Sequence, residues 1–298
     1  MIKKSLLTAA VMLAMYHFVL PHLSHRFYQI LGQLRGNYLR AQKYVHDVSD
    51  ETNVIIGSSM SLVLSEETLG PDYFKLTLPG GSVLTALEII QRASKRPAVV
   101  LIETNELGKK VDHEFLHDLF SPWLFTLRRW SPIFREEGRP SNFAAGIAEA
   151  CVRKSSQWGS ALVEREGTVN PSSEIDRFEP GLFSQLLNIY QEDLNHPPSF
   201  NDLAHAVNQL GEYVDALIRS GSTCIFFEMP IDSSLSDLEG PRAVRKAIAE
   251  RFPPAKYNWL SFDRGRNYET TDGIHLVRAE AEDLTKILVK QATEITIQ

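Results

Sequence analysis

Asn53-Val54-Ile55-Ile56-Gly57-Ser58-Ser59-Met60-Ser61 is the stretch from which the fold of this chain is read. Val54 to Ile56 is a short β-branched run of the kind that forms a buried strand. It stops at Gly57, and two serines precede the apolar-periodic residues Met60, Leu62, Val63 and Leu64. Strand, tight turn and helix in that order lift a serine hydroxyl to the carboxyl edge of a sheet, beside unpaired backbone N–H groups. Ligands favour that edge in α/β folds, and anions favour a helix N-terminus. The plainer role for Ser58 or Ser59 is to cap the helix.

Outward from this stretch the chain alternates. Strand-like runs lie at 54–56, 74–78, 99–102, 224–227 and 259–262, with helical patterns at 60–68, 83–93, 200–218, 242–252 and 279–291. Alternation of this kind predicts a parallel sheet covered by helices on both faces. Residues from about 107 to 198 break the rhythm, carrying Trp123, Trp130, Trp158, several prolines and no clear strand. That segment reads as a helical and loop insertion over the sheet edge, suited to a lid or a substrate platform.

Length and composition fit a globular α/β protein. The chain has 298 residues, 43% hydrophobic and 23% charged, enough to bury a sizeable core. A formal charge of −6, with no basic stripe interleaved with aromatics, argues against a nucleic-acid partner. The two cysteines, Cys151 and Cys224, form no C-x-x-C or Cys/His cluster, and Cys224 lies in an apolar run where a thiol acts as a small hydrophobe.

The N-terminus carries a different signal. After Lys3 and Lys4, no Asp, Glu, Lys or Arg appears until Arg26. As a helix, roughly 20 such residues reach about 30 Å, the thickness of a bilayer core. No small-x-small cleavage site follows, so residues 1–24 are expected to be an uncleaved, single-pass signal anchor. Arg26, Arg35, Arg40 and Lys43 after the span blur the positive-inside rule, and the domain is expected outside the cytoplasm. Phe27, Ile30, Leu31, Leu34, Tyr38, Ala41 and Val45 recur at helical spacing, which predicts a juxtamembrane stalk helix within 25–51 and a domain over 52–298.

A serine nucleophile needs a base, a group to orient that base, and donors for the developing oxyanion. Tyr268-Glu269-Thr270-Thr271-Asp272-Gly273-Ile274-His275-Leu276 follows the last strand, at the same edge as Ser59. With Gly273 bending the chain, Asp272 can hold one imidazole nitrogen of His275 while the other faces the serine. Leu78-Pro79-Gly80-Gly81-Ser82 ends the second strand with paired glycines whose N–H groups can approach a ligand closely. Glu103-Thr104-Asn105-Glu106 ends the third strand with an amide that can donate to an oxyanion. Taken singly, each piece is also an ordinary turn or cap.

Together and in this order, the four pieces resemble the SGNH (GDSL-like) hydrolase superfamily. Its blocks are a serine after a Gly-containing turn, a glycine, an asparagine, and Asp-x-x-His near the C-terminus. The resemblance covers 53 to about 291 apart from the insertion. It implies a three-layer α/β/α, flavodoxin-like fold, with Ser59 as nucleophile and its own N–H in the oxyanion hole. Gly80 (Gly81 if the register slips by one) and Asn105 become the other donors, His275 the base and Asp272 its orienter. The sequence departs from the pattern at three positions: Ser58 stands for the usual Asp, Glu103 for the usual Gly before Asn105, and Glu106 where Asp is commoner. The Gly-Ser-Ser form looks like the membrane-anchored, cell-envelope branch, several members of which handle acyl groups on extracellular polysaccharide or teichoic acid. The resemblance implies esterase, deacetylase or O-acyltransferase chemistry without cofactor or metal, and for a transferase a membrane protein that delivers acyl groups.

Two other functions compete. His113-Glu114-Phe115-Leu116-His117 matches H-E-x-x-H, which on a helix puts two imidazoles on one face for zinc, with Glu137 or Glu149 as a third ligand. Asp112 and Asp118 flank the motif where a zinc-protease helix carries uncharged residues, and Phe115, Leu116 and Leu119 make an inward face. The other alternative is a catalytically inactive scaffold of the same fold that binds glycan.

Overall fold

The computed structural model describes Val11 and residues 33–138, 180–263 and 266–297. By contact density the chain divides into two compact units, Met1–Gln42 with His117–Glu174, and Lys43–Leu116 with Ile175–Gln298. Apart from Val11, the expected anchor and the first part of the expected stalk lie outside the described residues, and so does Trp158. Among the described residues no helix is long and apolar enough to cross a membrane.

The second unit holds a five-stranded sheet. Its strands are β1 (Asn53–Gly57), β2 (Tyr73–Thr77), β3 (Val99–Glu103), β4 (Thr223–Phe227) and β5 (Asn258–Trp259), in the order β2-β1-β3-β4-β5. Every pair is parallel. This is the flavodoxin-like order, whose topological switch point lies between β1 and β3. Ile55, Ile56, Val100, Leu101, Ile102 and Ile225 are fully buried, as strands covered on both faces must be.

Helices fill both faces. The described part of the helix expected within 25–51 is α1 (Gln33–Asp47). After β1 come α2 (Ser59–Leu62) and α3 (Glu66–Leu69), and after β2 comes α4 (Val83–Arg92). Then follow α5 (His113–Leu119), α6 (Pro122–Trp130), α7 (Pro180–Leu194) and α8 (Phe200–Arg219). The last three are α9 (Ser233–Ser236), α10 (Glu239–Arg251) and α11 (Arg278–Ile297). One face of the sheet packs Ile55, Leu101, Ile225 and Phe227 against Ala281, Leu284 and Leu288 of α11. The other is covered by α4, α8 and α10, and there Phe226 meets Phe252 at a ring separation of 4.7 Å. Full burial of each such side chain contributes roughly 1.5–3 kcal/mol.

The structure departs from the sequence reading in boundaries. The helix expected over 60–68 is two short ones, because Ser65 takes an extended backbone and its side chain accepts the Thr68 N–H, starting a new helix. β5 stops at Trp259 rather than running on to 262. Leu260 N–H still donates to Phe226, but Ser261 exchanges two hydrogen bonds with the side-chain amide of Gln291, which stands in for a neighbouring strand. α10 begins three residues before the expected 242, with Gly240 and Pro241 in its first turn, and α11 runs six residues past 291. Proline is tolerated in a first turn because its missing N–H has no helical partner there.

Described by itself, the first unit is tied by polar contacts. Arg128 donates to the carbonyls of Asp118 and Leu119 at 2.8 and 3.2 Å, and Gln42 accepts the Glu136 N–H at 2.7 Å.

Candidate active site

The turn after β1 spends nearly all of its N–H groups. Ser58 N–H donates to Glu103 Oε2 at 2.9 Å, Met60 N–H to Ser58 Oγ at 3.1 Å, and Ser61 N–H to Glu103 Oε2 at 3.2 Å. Ser59, between them, makes no hydrogen bond through its N–H or its hydroxyl among the described residues. Ser58 is therefore the N-cap and Ser59 the first helical residue. The capping role, which the sequence left open between the two serines, falls to Ser58, and Ser59 keeps its N–H and hydroxyl unengaged among the described residues. Ser58 is buried, and Ser59 is partly exposed.

The neighbouring strands end level with this turn, since Gly57 pairs with Thr77 and Ile56 with Ile102. In the paired glycines, Gly81 N–H is used by the turn, donating to Leu78 O at 2.8 Å, whereas Gly80 N–H has no partner among the described residues. Of the two, Gly80 holds the donor that a ligand can take. Asn105 is fixed by a reciprocal pair with Met229: Nδ2 donates to the carbonyl at 2.8 Å and Oδ1 accepts the N–H at 2.7 Å. An amide carries two N–H hydrogens, so one remains. The ends of β1, β2 and β3 thus each present one open donor.

The C-terminal loop brings Asp272 and His275 together. Asp272 Oδ2 lies 2.7 Å from His275 Nδ1, and Oδ1 accepts the N–H groups of Ile274 and His275 at 3.1 and 2.9 Å. Thr271 N–H donates to the His275 carbonyl and Val277 N–H to the Glu269 carbonyl, so the loop is closed on itself. A hydrogen on Nδ1 facing the carboxylate leaves Nε2 as the basic nitrogen. Burial alone would push the Asp272 carboxyl up. The hydrogen bond and charge of His275, with the two backbone N–H bonds, outweigh it and hold the group below the usual carboxylate range.

Tyr190 of α7 was not singled out in the sequence. Its hydroxyl makes a long hydrogen bond to Asp272 Oδ2 at 3.5 Å, and burial, then the Asp272 charge, push its phenol up to about 12. The sequence places Tyr190 only within the helical and loop insertion at about 107–198. Tyr190 and Leu194 of α7 join Met60, Thr104, Asn105 and Ile274 in lining a cavity of about 260 Å³. Met60 and Ile274 are the chain neighbours of Ser59 and His275, so the serine turn and the histidine loop border one cavity, with part of the insertion as its wall.

The H-E-x-x-H motif is on α5 with His113, Glu114 and His117 exposed and Phe115, Leu116 and Leu119 buried. Among the described residues no three His, Cys, Asp or Glu side chains are grouped to hold a metal ion, and Glu137 lies beside Arg135 at 3.7 Å. Glu149 lies outside the described residues, as does Cys151. Cys224 is a free, buried thiol on β4, pushed up to about 12 by burial.

No protein-family model matches the chain, and no curated protein does. Solved structures do. One is a candidate acylhydrolase from Bacteroides fragilis, 10% identical, with a TM-score of 0.40 over 87% of this chain and 95% of that one. Another is a GDSL-like lipase from Bacteroides thetaiotaomicron, 10% identical, with a TM-score of 0.41 over 88% of this chain and 97% of that one. The chain is similar to both across most of its length. Likenesses this distant carry no argument about chemistry, which rests on the residues themselves.

Proposed function

We propose that this protein is a serine acyl-ester hydrolase or acyltransferase working through an acyl-Ser59 intermediate. The observation that carries the proposal is the Asp272–His275 pair, a carboxylate clamped by two backbone N–H groups and set 2.7 Å from an imidazole, at the edge where Ser59 is unencumbered. Ser59 Oγ attacks the acyl carbon and passes its proton to His275 Nε2. The oxyanion takes hydrogen bonds from the open donors of Ser59 N–H, Gly80 N–H and Asn105 Nδ2. Collapse expels the alcohol, which leaves with the proton from His275. Water or a sugar hydroxyl, deprotonated by the same imidazole, then takes the acyl group from Ser59. No step calls for a metal or cofactor.

Water as the acceptor makes the protein an esterase or deacetylase, and a sugar hydroxyl makes it an O-acyltransferase. The apolar N-terminal stretch supports a protein anchored by residues 1–24, working outside the cytoplasm on O-acyl groups of envelope or extracellular polysaccharide. A transferase would draw its acyl group from a membrane donor protein.

A fluorophosphonate probe tests the nucleophile. Wild type is expected to label and Ser59→Ala not to, with ester turnover falling by at least about 10⁴-fold. Labelling that survives in Ser59→Ala, or turnover lost to chelators, overturns the assignment. Incubation with an acetyl ester, with and without oligosaccharide, separates the acceptors: acetyl groups on the sugar mean transfer, acetate alone means hydrolysis.

A further inference from the structure

Ser58 and Glu103 are two of the positions at which the sequence departs from the motif it resembles, and in the fold they touch. Ser58 Oγ donates to Glu103 Oε1 at 2.6 Å, while Oε2 accepts the N–H groups of Ser58 and Ser61. In a capping box, a glutamate at the third helical position reaches back to the N-cap N–H. Here that third position is Ser61, too short to do so, and β3 supplies the carboxylate from outside the helix. Ser58 Oγ satisfies Met60 N–H, Glu103 satisfies Ser61 and the cap itself, and Ser59 N–H alone is left open. Gly57 makes the room: a Cβ there would sit 2.4 Å from Glu103 Oε2 and 2.1 Å from Ser61 Oγ. Glu103 is 0% exposed and makes no ion pair among the described residues.

We infer that Glu103 is a positioning residue for Ser59, its carboxylate moved from the turn to the neighbouring strand and there fixing the four residues that aim the hydroxyl and the open N–H. The inference rests on Ser59 being the nucleophile. An aspartate at 58 would accept the N–H groups of Met60 and Ser61 as an ordinary N-cap. The two departures are therefore one exchange: a carboxylate in the turn beside a bare glycine, or a serine in the turn beside a glutamate. Since Glu103 is buried beneath the turn, its loss should act on the chemical step and leave substrate binding alone.

The test is a cycle in the full chain with p-nitrophenyl acetate: wild type, Glu103→Gly, Ser58→Asp and the double variant, with Glu103→Gln and Ser59→Ala alongside. A displacement of about 1 Å at the nucleophile costs on the order of 10²-fold, so Glu103→Gly should lose about a hundredfold in kcat with KM within about threefold of wild type. Ser58→Asp alone crowds two carboxylates into one turn and should also be slow. The double variant should recover at least about tenfold over either single change, a rescue that general loosening would not give. Glu103→Gln, which keeps an oxygen for the two N–H groups, should stay within about tenfold of wild type. Wild-type kcat in a folded Glu103→Gly, or a double variant no faster than Glu103→Gly, overturns the inference. If Glu103→Gly does not fold, Glu103→Gln decides: kcat within about tenfold supports an acceptor role, and a folded protein as inactive as Ser59→Ala overturns it. Turnover in Ser59→Ala would remove the nucleophile assignment and this inference with it, whatever the Glu103 variants do.

Discussion

Asp272 and Glu103 are both buried carboxylates, and burial acts on them in the same direction. What differs is the company. Around Asp272, the His275 ring and two backbone N–H groups outweigh burial and hold the carboxyl below its ordinary range. Around Glu103, burial outweighs the bonds from Ser58 and Ser61, and Glu106 adds to it, so the carboxyl is pushed up. The two therefore link stability to pH with opposite signs. Asp272 contributes stability that is present above the unfolded carboxylate value of about 4 and lost as pH falls through the folded value. Glu103 is most favourable below its unfolded value of about 4 and loses stability as pH rises through its folded value. Melting curves of the amide variants between acid and neutral pH should separate them. The deficit of Asp272→Asn against wild type should widen toward neutrality, and Glu103→Gln should gain on wild type over the same range. Gaps that do not change with pH would refute the linkage. Asp272→Asn should also lower kcat by about 10⁴-fold, since an amide presents an N–H to His275 Nδ1 and favours the wrong tautomer.

The element that carries the proposed base is the loop between β5 and α11, and its geometry depends on one glycine. Gly273 has a φ of +107°, and a Cβ built there would meet Leu187 at 3.0 Å and Leu235 at 3.2 Å. Gly273→Ala should cost about 1–3 kcal/mol in denaturant unfolding, and the displaced imidazole should lower kcat on p-nitrophenyl acetate by more than about tenfold. A variant as stable and as fast as wild type would mean that the loop does not need this bend. Such a loop is legible in sequence because Asp-Gly-x-His states both the turn and the chemistry. β1, β3 and β4 were legible for a related reason: each is a short apolar run bounded by turn residues, and burial on both faces leaves no polar alternation to misread. The split at Ser65 was hidden because Leu62, Val63 and Leu64 keep an apolar character across the break. α7 was hidden because it lies in a segment that reads only as helices and loops, with nothing to say that Tyr190 reaches Asp272. Glu103 was visible as an odd residue before Asn105. Its partner, 45 positions back, appears only once β1 and β3 are paired.

At the scale of the molecule, the site follows from the sheet order. With β1 and β3 adjacent at the switch point, the segments leaving them diverge to opposite sides and leave a gap at their carboxyl ends. Ser59 and Asn105 leave from those two ends, Gly80 from β2 beside them, and His275 arrives from the far end of the chain. All of these groups belong to the unit Lys43–Leu116 with Ile175–Gln298. The apolar residues 1–24 contribute none of them, so attachment and chemistry should separate. The full chain should sediment with membranes, resist carbonate and high salt, and be released by detergent. A chain starting at residue 33 should stay in the supernatant and hydrolyse p-nitrophenyl acetate with kcat within about threefold of the full chain, because the roughly 20 apolar residues proposed as the anchor hold none of the proposed catalytic groups. Release of the full chain by carbonate would reject the anchor, and loss of turnover in a folded shortened chain would show that the segment serves the site as well.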